Sequence, residues 1–534
     1  MKAIYKIRIY LYSLLLAGIT QVSCEKFLTI DSPTGVSDEQ WWNTETDAYN
    51  ALATVYAGIP GGSSGRNIMY YAGLSDEAVQ RGEFKGDYDA FTRGLATSRW
   101  GVAQSLWQDD YICIRRANRF LENVDRVFAD ATLKERMKLE ARALRAYYHM
   151  ELMMVFGDIP LLTSSLNPEE NNQARTPESQ VYDFVVDELT LCAELLPPTY
   201  TNADRTRITS GICWALLSRL GLYKKDYELA KTAAKKIIDS KVYKLWKNTS
   251  NMAASYGELF SYTGELNEER IFFKEQGAAN AWTSFAPYGI GGETYLSPTN
   301  TVVDNWETRQ GKTIYELGPD SLAIYRKEPN YKNNRDPRLS ASVFVPNEKF
   351  LGQYVLDPFY SPADKIGLTK STATGYWIKK YIDSRDQQSK SGELDFMIIR
   401  YAEILLTFAE AKIELNEWSD TETLNAINEV RSRAAMPLID AADVRYNSQQ
   451  RMRQFIRRER QAELAFEGWR YFDIRRWGIA ADVMNGQVYG ATNPTTGEIV
   501  EVQMRTYDSD RESLWPIPET ETSTNPNMEQ NPNY

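Results

Sequence analysis

The side chains that could do chemistry form a short inventory. The chain has one histidine, His149. A metal site with several imidazoles is therefore excluded within the chain, and a hydrolytic triad would have to use that one ring. His149 follows Tyr147 and Tyr148, one helical turn after Arg145, which is the setting of a packed helix histidine. Gly61-Gly-Ser-Ser-Gly65 matches G-x-S-x-G, but a nucleophile elbow needs a strand before it and a helix after it. Pro60 and two glycines stand there instead, so the stretch reads as a flexible turn. Gly311-Lys312-Thr313 looks like the end of a phosphate-binding loop, yet Trp306 occupies the place of the required first glycine. Gly289, Gly291 and Gly292 miss the dinucleotide pattern at Thr294. C-x-x-C and H-E-x-x-H do not occur. Asp87/Asp89 and Asp508/Asp510 lack the EF-hand glycine and closing glutamate; a calcium site of another kind is left open, metal ligands stay unassigned and no cofactor is implied. Glycoside hydrolysis needs two carboxylates at a set separation, but among 72 acidic residues any pair could be nominated. Asp76-Glu77 is one such candidate, and adjacent acids of this kind commonly cap a helix or a turn. No reaction follows from these motifs, and the protein is expected not to be an enzyme.

Composition points to recognition. Of the 534 residues 43% are apolar and 25% charged, the profile of a globular chain with a large core. A net charge of −11 argues against a general nucleic-acid binder, which needs a cationic surplus. Aromatics reach 12%, with 33 Tyr and 13 Trp, enough both to fill a core and to bind flat, partly apolar ligands.

The first 23 residues read as a secretory signal. Lys2, Lys6 and Arg8 precede an apolar run from Ile9 to Ile19, too short to span a bilayer. The run ends at Gln21-Val-Ser-Cys24, where a cysteine after a small residue marks a bacterial lipoprotein signal with Cys24 as the lipidated residue; Gln21 departs from the usual aliphatic residue. Cleavage removes three cations and no acid, taking the net charge from −11 to −14. Cys113, Cys192 and Cys213 remain, in apolar helix-like contexts. They read as small buried hydrophobes, with a single Cys192–Cys213 bridge left open.

Two blocks carry helical periodicity. In the first, about Trp100 to Asp239, Leu133, Met137, Ala141, Leu144, Tyr148, Leu152 and Val155 form one stripe that stops at Gly157. Helices are expected over Pro177–Leu195, Thr209–Lys224 and Tyr227–Ser240. In the second, about Phe396 to Phe466, Tyr401, Ile404, Leu405, Phe408 and Leu415 form one stripe and Leu424, Ile427, Val430 and Ala434 another. Short turns between paired helices suggest stacked hairpins of the tetratricopeptide kind. From about Lys241 to Leu394 the texture turns to Gly, Pro, Asn and aromatics, which predicts loops and short strands over the helical scaffold. The expected division is a signal at 1–23, an N-terminal helical part at 24–240, a loop-rich ligand-binding part at 241–394 and a C-terminal helical part with its tail at 395–534. Arg451 to Trp477 holds eight arginines interleaved with Glu459, Glu463, Glu467, Asp473 and aromatics, which predicts an internal ion-pair network. Trp41 and Trp42 either seal the N-terminal arm or mark a partner surface.

These pieces together resemble the SusD/RagB family of surface lipoproteins of Bacteroidota, over the whole mature chain. The resemblance rests on Ser23-Cys24 with Phe27-Leu28; on Trp107, Tyr111, Ile114, Ala117 and Asn118; on Glu140-Ala-Arg-Ala-Leu-Arg-Ala-Tyr-Tyr148 and Phe156-Gly-Asp-Ile-Pro-Leu161; and on Asp336-Pro-Arg-Leu339. Arg400-Tyr-Ala-Glu-Ile-Leu-Leu406, Asn428-Glu-Val-Arg431, Glu459-Arg460, Arg470-Tyr-Phe-Asp473, Pro516-Ile-Pro518 and Gln530-Asn-Pro-Asn-Tyr534 continue it. It implies a mainly α fold of about four tetratricopeptide-like hairpins with an irregular ligand-binding part. It implies capture of oligosaccharides without catalysis, at the outer membrane, lipid-anchored and facing the cell exterior. It implies delivery to a SusC-like TonB-dependent transporter faced by the hairpins. Capture of peptides or another nutrient, a carboxylate-dependent glycoside hydrolase and a purely structural transporter lid are the alternatives. The family's ligand residues lie in variable loops, so the site is sought as aromatics beside polar groups in loops. Two stretches qualify: Tyr70, Tyr71, Asp76 and Arg81 in the first, and Trp282, Tyr288, Tyr295 and Trp306 in the second.

Overall fold

The computed structural model describes residues 41–61, 66–81, 87–201, 204–275, 281–327 and 330–534. The signal at 1–23, Cys24, Phe27-Leu28 and the serines of the Gly61–Gly65 turn lie outside them.

Helices dominate. The first is α1 (Glu45–Tyr56), opened by a capping box in which Thr44 accepts from Asp47 N and Asp47 accepts from Thr44 N. It is followed by α2 (Gly101–Asn123), α3 (Ala131–Phe156), α4 (Glu178–Leu195), α5 (Ser210–Lys224) and α6 (Tyr227–Ser240). After the loop-rich part come α7 (Tyr401–Glu414), α8 (Thr421–Arg433), α9 (Gln449–Leu464) and the short α10 (Arg470–Arg476). Each helix from α1 to α6 packs on the next, and α6 packs on α7, so a 160-residue excursion leaves the helical stack unbroken. The expected stripe on α3 is buried from Met137 to Val155, and the helix stops at Gly157, whose φ of 73° favours glycine. Thr209 caps α5 and Asp226 caps α6. These two helices approach so closely that a Cβ on Gly221 would lie 2.7 Å from Ala230 N.

The second helical block begins later than its sequence suggests. Phe396–Arg400 is a strand, β8, antiparallel to β2 (Arg270–Lys274), and α7 starts only at Tyr401. Phe-Met-Ile-Ile is buried on both faces, so its run of apolar residues carries no helical period and fits a strand as well. The other sheets are also two-stranded: β1 (Ala78–Gln80) with β3 (Leu296–Pro298), β4 (Val343–Phe344) with β7 (Trp377–Ile378), β5 (Lys349–Phe350) with β6 (Tyr354–Val355), and β9 (Gly486–Thr492) with β10 (Ile499–Arg505). The β1–β3 pair matters most for function, because it carries a segment from between α1 and α2 into the loop-rich part.

Of the eight arginines in Arg451–Trp477, Arg460, Arg470 and Arg476 are buried, Arg451 is exposed and the other four are half-buried; the interior network also draws on Arg338, Arg400, Arg431 and Arg433. Arg338 meets Asp336, Glu459 and Glu463 at 2.7, 2.7 and 3.0 Å; Arg400 meets Glu269, Glu463 and Glu467 at 2.9, 2.5 and 2.8 Å. Arg433 joins Glu269 and Glu463, and Arg431 joins Glu307 and Glu459. Burial alone would push the Glu463 carboxyl up, but the charges of Arg433, Arg400 and Arg338 outweigh it and hold the group far below the usual range. Arg460 and Arg476 share Asp473, and Arg476 also grips Glu410. The alternating signs are thus an ion-pair network joining α7, α8, α9 and α10 to the loop-rich part.

Three further expectations concern single residues. His149 is fully enclosed: its Nδ1 faces Arg145 O at 2.8 Å, Leu162 N donates to Nε2 at 3.2 Å, and burial lowers its pKa to about 4. Cys113, Cys192 and Cys213 are buried free thiols, so no Cys192–Cys213 bridge forms. Trp42 packs edge-on against Phe120 of α2, while Trp41 stays part-exposed.

Candidate functional site

The two stretches singled out in the sequence meet in space. In the β1–β3 pair, Gln80 stands opposite Leu296, and Arg81 N donates to Tyr295 O at 3.0 Å. Before β3 the chain makes a closed loop. It leaves the short helix Ala281–Phe285, turns at Tyr288–Ile290 and returns alongside itself, with Glu293 N donating to Thr283 O and Tyr295 N to Ser284 O, both at 2.8 Å. Glycines make the turn feasible. Gly291 has a φ of 91°, and a Cβ on Gly292 would collide with Ala286 O. The tip is pinned from outside: Gly289 N donates to Asp364 Oδ1 at 3.1 Å, and the same carboxylate accepts from the Tyr354 hydroxyl.

This loop sorts the expected residues. Trp282 is fully buried and stands edge-on to Phe350, ring centroids 5.5 Å apart. Tyr70 is 4% exposed, packs against Phe285, Tyr88 and Tyr295, and donates to Ser284 Oγ. Trp306 is 1% exposed, its indole N–H donating to Ala462 O. Asp76 is buried in a two-pronged pair with Arg470 at 2.7 and 2.8 Å. Tyr71 is half-buried between Tyr88, Phe472 and Trp515. The expectation that these five are exposed is therefore corrected: four are buried and Tyr71 is half-buried. Loop residues here fold back over the core, and large rings close the gap between loop and helix.

Arg81, Tyr288 and Tyr295 remain at the surface and lie together. The Arg81 guanidinium sits 4.9 Å from the Tyr295 ring centre. Glu293, between the two tyrosines, is held by Arg81 at 3.3 Å and by Lys370 at 2.9 Å. Lys370 Nζ lies 5.8 Å from the ring centre of Tyr288, which is 43% exposed. The hydrogen bond to Glu293 raises the Lys370 pKa, and burial followed by the Glu293 charge raises that of Tyr295. Glu293 and Lys370 escaped sequence reasoning. Tyr-Gly-Ile-Gly-Gly-Glu-Thr-Tyr, an acid in a glycine turn bracketed by two tyrosines, was the available signal for the first; Lys370 is far away in the chain and offered none. Such a patch can stack on one planar face while cations, a carboxylate and backbone groups meet a polar rim.

Beneath it, Glu77 is fully enclosed. Its Oε2 accepts from Phe466 N at 3.1 Å. Burial, and then the neighbouring Asp76, push its pKa up to about 8, so it is neutral at pH 7. A separate open cavity of about 460 Å³ lies between α2, the 160–173 segment and the tail. There Trp107 packs on Phe156, and the Tyr111 hydroxyl is engaged by Pro160 O. Among the described residues no group of three His, Cys, Asp or Glu is placed to hold a metal, and no helix is long and apolar enough to cross a membrane.

The helical stack with a loop-borne aromatic patch defines a recognisable class. The SusD family model matches residues 251–534, more than half of the chain, and a second model, starch-binding associating with outer membrane, matches residues 96–222. The chain belongs to the SusD/RagB family of Bacteroidota. The SusD-like protein P38 of Formosa agariphila is 26% identical over the full length of both chains. A SusD-like carbohydrate-binding protein of Bacteroides fragilis superposes with a TM-score of 0.82 at 26% identity, covering 92% of this chain and 100% of its own. A second SusD-like protein of that species gives 0.81 at 25%, covering 93% and 99%.

Proposed function

We propose that this protein is a cell-surface glycan-binding lipoprotein that captures oligosaccharides at the Arg81–Tyr288–Glu293–Tyr295–Lys370 patch and delivers them to a TonB-dependent transporter. The carrying observation is the exposed Tyr288 ring, fixed on a pinned loop beside Tyr295 and flanked by charged groups. A pyranose offers a face of C–H groups and a rim of hydroxyls. Tyrosine rings suit the face, and Arg81, Glu293 and Lys370 suit the rim. Membership of the SusD/RagB family, and the carbohydrate-binding relative of Bacteroides fragilis, support this reading. Lipidation at Cys24 would hold the protein at the outer membrane, and the helical stack would face the transporter. No reaction is assigned to the patch.

The test is calorimetric titration of the chain from Glu25 onward with a panel of oligosaccharides and peptides. A glycan that binds the wild type, and binds Tyr288→Ala and Tyr295→Ala about tenfold more weakly, is the expected result; the loss matches one aromatic contact of about 1–1.5 kcal/mol. Binding of peptides alone would replace the glycan reading with peptide capture. For the anchor, Cys24→Ala is expected to move the protein from the membrane fraction to the soluble fraction.

A further inference from the structure

The charge around the tip loop runs against the charge of the chain. The whole sequence is acidic, with a net of −11, yet three cations converge on Tyr288 and Tyr295. Arg81 lies over the Tyr295 ring, and Lys370 lies by the Tyr288 ring. Lys390 reaches the tip from a third segment: a Cβ on Gly291 would collide with its Nζ, and Thr283 Oγ1 donates to its carbonyl at 2.9 Å, fixing its backbone beside the loop. Among the described residues the carboxylate that pairs with these cations is that of Glu293, divided between Arg81 and Lys370. The Asp364 carboxylate beneath the tip is buried and engaged by Gly289 N and the Tyr354 hydroxyl. Arg81 is itself incompletely used. Its Nε and Nη1 are enclosed and meet no acceptor among the described residues. The guanidinium charge adds to those of Lys370 and Lys390 at the loop, and the three together suit a planar or tetrahedral oxyanion.

Resting on the glycan reading, we infer that the ligand of this patch is an anionic glycan, whose uronate carboxylates or sulfate esters pair with Arg81, Lys370 and Lys390 while its rings stack on Tyr288 and Tyr295. A neutral glycan would leave the excess cations facing only hydroxyls. A charged one gains from them, and its binding is screened by salt.

The experiment uses matched pairs: polygalacturonate against its methyl ester, and ι-carrageenan oligosaccharides against their desulfated form, each titrated into the chain from Glu25 onward. The expected result is at least tenfold tighter binding of the charged member of one pair. That binding should weaken between about 0.1 M and about 1 M NaCl, as the screening length falls from about 10 Å to about 3 Å. Which pair discriminates tells carboxylate from sulfate. Lys370→Gln and Lys390→Gln should each lower the affinity several-fold at unchanged melting temperature, whereas Glu293→Gln should raise it, an effect of opposite sign that a merely structural loop contact would not give. Equal or tighter binding of the neutral members, insensitive to salt and to the lysine variants, would overturn the anionic assignment and leave glycan capture standing. Absence of binding to every glycan, charged or neutral, by a folded sample would overturn both.

Discussion

The Glu463 cluster and the Tyr288 loop are built from the same residue types and do opposite work. In the cluster Arg338, Arg400 and Arg433 each meet carboxylates from more than one segment, and the rings that share its space, Tyr256 and Phe260, close over the charges. At the loop two cations, Arg81 and Lys370, share one carboxylate, a third, Lys390, lies beside them, and a tyrosine ring stands in solvent. Residue type therefore does not tell structural from binding arginines or aromatics in this chain. What separates them is whether the surrounding backbone encloses the group. In the cluster β8 and three helices do so. At the tip a glycine turn stops the chain short of doing so.

The comparison is most severely tested by taking the cluster apart. Arg400→Ala leaves Glu463 and Glu467 buried with fewer partners, which is expected to cost about 3–5 kcal/mol. The check is chemical denaturation, and a loss below about 1 kcal/mol would break the distinction. Trp306→Ala should cost about 3–5 kcal/mol by opening a cavity, with glycan affinity unchanged in whatever fraction stays folded. Tyr288→Ala should do the reverse, changing stability by less than about 0.5 kcal/mol while weakening binding about tenfold.

The sequence made the helical half legible because burial there follows a 3.6-residue period. Leu133 to Val155 of α3, and α5 and α6 with their caps at Thr209 and Asp226, stand where the spacing places them. Phe396–Arg400 misled because a strand buried on both faces has no period to read. At the candidate site, the Tyr70 and Trp282 segments come together in space, yet both rings point inward. Whether a loop aromatic faces water depends on partners such as Phe350 and Ser284, and local sequence does not encode them. Lys370 and Lys390 come to the tip through the tertiary path of the 354–390 segment, which no motif announces.

A smaller effect probes the layer between the two regions. Glu77, ordinarily near 4.5, is raised to about 8 by burial. Between those values the folded protein keeps a proton that the unfolded chain releases, so this group makes stability fall as pH rises from about 4.5 to about 8 and adds no slope above that. Glu77→Gln should remove that slope. The gap in melting temperature between variant and wild type is expected to widen from pH 5 to pH 8, and parallel curves would show that Glu77 is ionised in the folded state.

The most direct test of the central claim sets one exposed ring against one buried ring in a single titration series. Wild type, Tyr288→Ala and Trp282→Ala are melted and then titrated with the tightest glycan of the panel. The expected result is an unchanged melting temperature with about tenfold weaker binding for Tyr288→Ala, and a lowered melting temperature with near wild-type affinity in the folded fraction for Trp282→Ala. Full affinity in Tyr288→Ala, or a binding loss confined to Trp282→Ala in a protein of unchanged stability, would contradict it.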